Sequence, residues 1–435
     1  MGRLLAAGAA LALFLATDDS LPAQTFAQAP APQGITPKRL IFLPNALQDA
    51  NGNKPNFTAP TMPRPPLRDM WLVSEHGFAK TGPNRYLLVS MENNYNFLVG
   101  PGAGFVEAFN FVQWTGDFIN HPGLPQTEKG YWRGDVFQHR YVWAPFVFED
   151  GGTYYLFYPA PYPDPTGPIS CFLATSTTGN PDPADWHQYD PDPDEPGIQP
   201  LFGPHGARGY RDFSIVKVNT PFGVRYYNYY ISDVYDASID RYVSETWLRA
   251  TDNLLNWPVG GELTTPVFRR VNSDTTLDGR YHVDYENPFV VQYDADNFYL
   301  FISRHGIFPA DMATNPDWKV IPMSTEVYWS PDGLKFEVAN QMPNLETVDH
   351  LAINSAEIFT SDGRWFATDA TYSNDFNDIP FDSCPGAGVE FTCYSPGLTR
   401  VVQQFQEPDH SLHLVEFKFE HAIPAEEFPN AWMCF

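Results

Sequence analysis

Hydrophobic residues in this chain come in short bursts, each closed by a tight polar turn and answered by a second burst rich in aromatics. The clearest instance is Trp143-Ala144-Pro145-Phe146-Val147-Phe148, then Gly151-Gly152, then Thr153-Tyr154-Tyr155-Leu156-Phe157-Tyr158. The same arrangement returns as Arg211-Asp212-Phe213-Ser214-Ile215-Val216 with Arg225 to Tyr230, and as Tyr285-Glu286-Asn287-Pro288-Phe289-Val290-Val291 with Asn297 to Ser303. Two fainter copies bracket these. One is Asp69-Met70-Trp71-Leu72-Val73 with Asn84 to Ser90, and the other is Asn354 to Phe359 with Asp362 to Ala367. Alternation with β-branched and aromatic residues, broken by Gly, Pro, Asn and Asp, predicts strand–turn–strand units.

Aligned on one column, the copies sit at Asp69, Ala144, Asp212, Asn287 and Ser355, spaced 75, 68, 75 and 68 residues apart. Further apolar stretches supply a third or fourth strand to each unit: Gly104 to Phe109, Ile169 to Ser176, Thr246 to Thr251, Glu326 to Ser330 with Leu334 to Phe336, and Leu398 to Val402 with His413 to Phe417. A fixed period with this content marks radial repetition. A meander of this kind cannot bury both faces alone, whereas five packed around an axis can, and ring closure protects the edges. The expected fold is an all-β, five-bladed β-propeller forming one domain over residues 61–435. A β-sandwich does not account for the period. Residues 30–60 read as a Pro/Ala/Asn-rich segment in which Lys38 to Leu43 is a candidate ring-closing strand of the last blade.

Composition adds limits. The 435 residues are 43% hydrophobic and 16% aromatic, with 42 prolines, against an average proline content of about 5%. That favours turns over long helices. With 52 acidic and 26 basic residues the net charge is −26, the wrong sign for a nucleic-acid partner. Residues 1–29 read as a signal peptide: Arg3, an apolar run from Leu4 to Ala16, and Ala27-Gln28-Ala29 as a small-x-small cleavage site. The run is too short to span a bilayer. The expected location is therefore secreted or periplasmic, with no membrane partner and the oligomeric state left open. Cys384 and Cys393 fit a loop-closing disulfide in that compartment. Cys171 and Cys434 are left unassigned. No cysteine or histidine spacing matches a zinc site.

The first strand of each propeller blade lines the central channel, so the residues leading those strands converge on one funnel. Three of the five lead with a carboxylate: Asp69, Asp212 and Glu286. Cleavage of a glycosidic bond needs one carboxyl to protonate the leaving oxygen and another to attack or to activate water. A third carboxylate nearby raises the pKa of the acid.

At these residues the chain resembles the five-bladed propeller glycoside hydrolases of family 43, related to the family 32 and 68 invertase and levansucrase group. The resemblance is carried by Trp143-Ala144-Pro145, Arg211-Asp212-Phe213 and Glu286-Asn287-Pro288, and by Ala174-Thr175-Ser176 followed by Trp186. It spans roughly Asp69 to the C-terminus and implies a glycoside hydrolase. In those terms Asp69 is the nucleophile or water-activating base, Glu286 the general acid, and Asp212 the residue that tunes its pKa. Trp143, Arg211, Trp71, Asn354 and His350 are the candidate substrate-binding residues. The chain departs from the pattern at Phe213 and Met70, where the family has Pro. It departs again in the fifth blade, where Asn354 stands in place of the histidine found in relatives with an axial metal. No metal ligand set and no cofactor are expected; a structural calcium is the one ion the resemblance raises. The implied substrate is a furanoside- or xyloside-containing glycan of the arabinan, arabinoxylan or fructan type. The alternatives are a fructosyltransferase or transglycosylase using the same site, and a carbohydrate-binding propeller without catalysis.

Overall fold

The computed structural model describes residues 32–43, 76–92, 108–117, 119–120, 126–130, 142, 144–163, 167–203, 209–220, 222–237, 241–269, 282–307, 320–346, 348, 353, 356–369 and 412–421. The chain divides into a large unit, Gln33–Glu420, and a second made of Met1–Pro32 with His421–Phe435, of which only Pro32 and His421 are described. The expected leader, residues 1–29, lies outside the described residues.

Among the described residues nineteen strands form five sheets. Strand β1 (Pro32–Leu43) is the first described strand. The first blade is β2 (His76–Gly82), β3 (Arg85–Glu92), β4 (Ala108–Thr115) and β5 (Gln126–Gly130). The second is β6 (Phe146–Asp150), β7 (Thr153–Pro161), β8 (Ile169–Ser176) and β9 (His187–Gln188). The third holds β10 (Arg211–Thr220), β11 (Gly223–Asp236) and β12 (Arg241–Thr251). The fourth is β13 (His282–Asp294), β14 (Asn297–Ile307), β15 (Val320–Ser330) and β16 (Gln341–Leu345). The last comprises β17 (Ile358–Ser361), β18 (Arg364–Asp369), β19 (Leu412–His421) and, outermost, β1. Among the described residues there is no α-helix. The expected five-bladed propeller is the fold found, and its ring-closing strand begins at Pro32 rather than Lys38.

The sequence alternation shows how the blades hold together. In β7, Tyr154, Leu156 and Tyr158 pack towards the first blade with Leu87, Val89, Phe109 and Phe111. Phe157, on the opposite face, joins the core shared with Ile215, Tyr230 and Trp247 of the third blade. Tyr229 and Ile231 turn the other way, onto Leu300, Ile302 and Tyr328 of the fourth. Tyr299 and Phe301 then meet Val415 and Phe417 of the fifth. Between the fifth and first blades Phe359 lies 5.0 Å from Phe78, centroid to centroid. Each sheet is thus apolar on both faces. At about 2 kcal/mol for each large side chain buried, these inter-blade layers are the main stabilising contribution.

Two expectations need correction. The innermost strand of the first blade is His76–Gly82, not Met70 to Val73, and it pairs with β3 through Phe78↔Leu88. The fourth strand of the fourth blade is Gln341–Leu345, not Leu334 to Phe336. Phe336 is instead buried in the inter-blade core, its N–H donated to the carbonyl of Val267 at 2.7 Å. Cys171, left unassigned by the sequence, is a free, fully buried thiol. Cys384, Cys393 and Cys434 lie outside the described residues, as does the strand expected from Leu398 to Val402.

Candidate functional site

The innermost strand of a blade is also a sheet edge, with backbone groups that no strand pairs. Around the axis, side chains of one blade cap backbone N–H groups of the next. Asp212 Oδ2 accepts the N–H of Asn287 at 3.1 Å, and Ser214 Oγ accepts that of Val290 at 3.0 Å. Glu357 Oε2 accepts the N–H of Phe78 at 2.6 Å, joining the fifth blade to the first.

Blades three and four share a bulge at the same place. Arg211 pairs with Ile231 and Ser214 with Tyr229, so three steps on β10 answer two on β11. Glu286 pairs with Ser303 and Phe289 with Phe301 in the same way. The extra residue takes a left-handed backbone, φ 54° at Asp212 and 52° at Asn287, and Ala144 ahead of β6 has φ 36°. Asp and Asn adopt this conformation at less cost than other residues because their short polar side chains bond locally. A bulge re-aims the residues beside it. Here it brings the residues just before it, Arg211 and Glu286, together.

One guanidinium organises the result. Arg211 Nη1 donates to Asp233 Oδ2 at 2.7 Å, and its Nη2 lies 3.3 Å from both Glu286 Oε1 and Ser244 Oγ. Its Nε is 3.8 Å from Asp212 Oδ2. Ser244 Oγ in turn donates to Asp233 Oδ1 at 3.0 Å, across the register pair Asp233↔Ser244. Three carboxylates therefore surround a single cation. The Asp212 side chain is 2% exposed and that of Glu286 17%. Burial, with Glu286 and Asp233 adding repulsion, pushes the Asp212 carboxyl up to about 7 against the opposing pull of Arg211 and the Asn287 N–H. Burial also opposes the charge on Arg211, but Asp233, Glu286 and Asp212 outweigh it and hold that guanidinium well above its usual range.

At the axis the strands line a half-open cavity of about 30 Å³ reached from all five blades, by His76, Ala144, Asp212, Asn287, Ala356 and Glu357 among others. Apart from Glu357, each of these stands two residues before the ladder residues Phe78, Phe146, Ser214, Phe289 and Ile358. The channel column is thus His76, Ala144, Asp212, Asn287 and Ala356. The expected positions in the second, third and fourth blades stand. The first blade is displaced by seven residues from Asp69, and the fifth by one from Ser355. Gly77 lets β2 come this close to β6, since a Cβ there would lie 2.9 Å from the backbone N of Val147.

Of the residues expected at the site, Arg211, Asp212 and Glu286 come together. Asp69, Trp71, Trp143, His350 and Asn354 lie outside the described residues. Asp233, Ser244, His76 and Glu357 are additions. The signal for Asp233 is a carboxylate in an otherwise apolar strand, Tyr229-Tyr230-Ile231-Ser232-Asp233-Val234. No group of metal-ligating side chains occurs among the described residues.

No family model matches the sequence, and no curated protein does. Among solved structures the chain is similar to a thermostable family-43 glycoside hydrolase, at 16% identity and a TM-score of 0.43 over 70% of this chain and 85% of that one. It is also similar to an endo-arabinase from Bacteroides thetaiotaomicron, at 14% identity and 0.42 over 69% and 90%. A family-32 beta-fructofuranosidase from Bombyx mori matches at 16% and 0.44 over 69% of this chain and 55% of its own. At TM-scores under 0.5 these are distant likenesses, and the architecture rests on the strand order itself.

Proposed function

We propose that this protein is a glycoside hydrolase whose chemistry is carried by carboxylates on the innermost strands of neighbouring blades. One observation carries the reading. Asp212 and Glu286 share the Arg211 guanidinium, one buried, the other partly open to solvent. Glycosidic cleavage needs carboxyl groups gathered at one bond, one of them to protonate the leaving oxygen. In this reading Glu286, the one open to solvent, gives the proton to the leaving oxygen. Asp212 sets the charge beside it and receives a sugar hydroxyl. Asp69 attacks the anomeric carbon or activates water. Arg211 sets the spacing of the two described carboxyls. The substrate is a neutral furanoside- or xyloside-containing glycan, and the enzyme works outside the cytoplasm after loss of residues 1–29.

The test is a panel of chromogenic arabinofuranosides, xylosides and fructosides with Glu286→Gln and Asp212→Asn. Turnover by the parent protein, reduced about 10²- to 10⁴-fold in each variant with the fold retained, supports the reading. Undiminished activity in both variants sinks it.

One observation favours a second reading, a saccharide-binding propeller without catalysis: the channel column of the first blade carries His76, not a carboxylate. Sugar binding without turnover on every substrate of the panel decides for that reading.

A further inference from the structure

The third blade carries its second and third strands past its first. β10 pairs with β11 only as far as Arg211↔Ile231, whereas β11 and β12 keep an unbroken register out to Asp236↔Arg241. Residues 232–236 and 241–245 therefore form a two-stranded ribbon that extends beyond β10, at the end of the blade where Arg211 lies. A ribbon of two strands is marginal alone, and this one is held by one of its faces. Side chains alternate across a strand, so Ser232, Val243 and Glu245 share a face, and all three are buried. Glu245 accepts from Trp247 Nε1 at 3.1 Å, and its other oxygen lies 3.1 Å from Arg269 Nη1.

The opposite face has Asp233 and Ser244 at its base, both on the Arg211 guanidinium. Two residues further along that face is Tyr235, 49% exposed. Two strand residues span about 7 Å, so Tyr235 stands one step along from the cluster of Arg211, Asp233 and Glu286, not within it. Phe222 and Val224, also exposed, lie at the other end of β11. A sugar ring offers C–H groups on its faces and hydroxyls at its rim. A tyrosine offers an apolar ring face and a hydroxyl tip. The anchored ribbon holds that ring beside the carboxylates without a flexible loop.

We infer that Tyr235 is a saccharide-stacking residue, holding the sugar unit next to the one at the Arg211 cluster, so that the ligand of this site is an oligosaccharide and not a single glycoside. The inference deepens the proposed glycosidase reading and takes the class of ligand from it. Binding energy gained at a unit remote from the reacting bond serves to orient the unit that reacts.

The test is calorimetric binding, which needs no turnover. The probes are arabino-, xylo- and fructo-oligosaccharides of increasing length, with the free monosaccharides. They are titrated into the parent, into Glu286→Gln, which keeps them intact, and into Glu286→Gln combined with Tyr235→Ala, Tyr235→Phe or Phe222→Ala. In one series the affinity should rise about tenfold with the unit that reaches Tyr235. Tyr235→Ala should remove that step, Tyr235→Phe should keep most of it, and Phe222→Ala should keep it whole. A step that survives Tyr235→Ala, a step lost equally in Phe222→Ala, affinity independent of length, or no binding of any series overturns the inference. Should Tyr235→Ala lower the urea midpoint, Tyr235→Leu, which keeps bulk without a ring face, decides in its place. Turnover of chromogenic glycosides without the step leaves the hydrolase reading standing and this inference fallen. The step without turnover of any substrate does the reverse.

Discussion

Asp212 accepts the backbone N–H of Asn287 at 3.1 Å, and the two residues carry the same left-handed backbone in neighbouring blades, φ 54° and 52°. Each bulge therefore braces the other, and the pair holds Arg211 and Glu286 within reach. At Asn287 the side chain offsets part of the cost of a positive φ. Asn287→Ala should destabilise the protein by about 1 kcal/mol, and Asn287→Gly, which adopts the conformation freely, should restore most of the loss. Chemical denaturation of the three proteins checks this.

Among the described residues Asp233 is the nearest carboxylate to Arg211, at 2.7 Å. Asp233→Asn keeps the shape but weakens the anchor, and the guanidinium drifts from Glu286. A shift of about 1 Å in a reacting group costs about a hundredfold in rate. We expect kcat to fall by that order with KM little changed, read by steady-state kinetics on whichever glycoside the parent turns over. An unaltered kcat means that Arg211 is oriented by other groups.

The Asp212 carboxyl titrates at about 7 in the folded protein against a usual 3.8. Between those values the native state binds a proton that the unfolded chain has released. Its contribution to stability is thus fully present below about pH 4 and lost as pH rises through about 7. Asp212→Asn removes this dependence. Urea midpoints of the two proteins should diverge in slope across that window, and parallel curves contradict the assignment.

Arg249 is buried between the second and third blades. It donates to Tyr210 Oη at 2.7 Å, lies 3.5 Å from Glu262 and sits 4.8 Å over the Phe202 ring. Glu262 also accepts from Tyr230. Arg249→Met removes one partner of a buried ion pair and should cost about 3–5 kcal/mol, measured as a lowered denaturation midpoint. Double substitution with Glu262→Gln should recover part of it.

Much of this architecture was legible because aromatic alternation and turn residues coincide. Ile169–Ser176 was readable to the residue, and the Ala144, Asp212 and Asn287 column survived intact. The first blade misled for a physical reason. Its true inner strand, His76-Gly77-Phe78-Ala79-Lys80-Thr81-Gly82, has two glycines and no Val or Ile, while the apolar weight lies just upstream at Met70 to Val73. Glycine there serves close approach to Val147, which a propensity argument counts against a strand. Asp233 was hidden because its role depends on β11 running on past Tyr230 to Asp236 and on the bulge that brings Arg211 beside it. Neither is a local property. Glu357 was passed over for a similar reason: its partner, Phe78, is 279 residues away.

The outermost strand of the last sheet is β1, the first of the described strands. Arg39 on β1 holds Glu416 on β19 across 377 residues and reaches the Ile119 carbonyl. During synthesis the N-terminal strand leaves the ribosome first and finds its partner last. The intervening blades assemble on an open ring, each with only its neighbours for support, and closure awaits Leu412–His421. The entropy of closing so long a loop grows only with the logarithm of its length, so the cost falls on the rate more than on the stability. Until β1 and β19 meet, a folding chain of this protein is an unclosed arc.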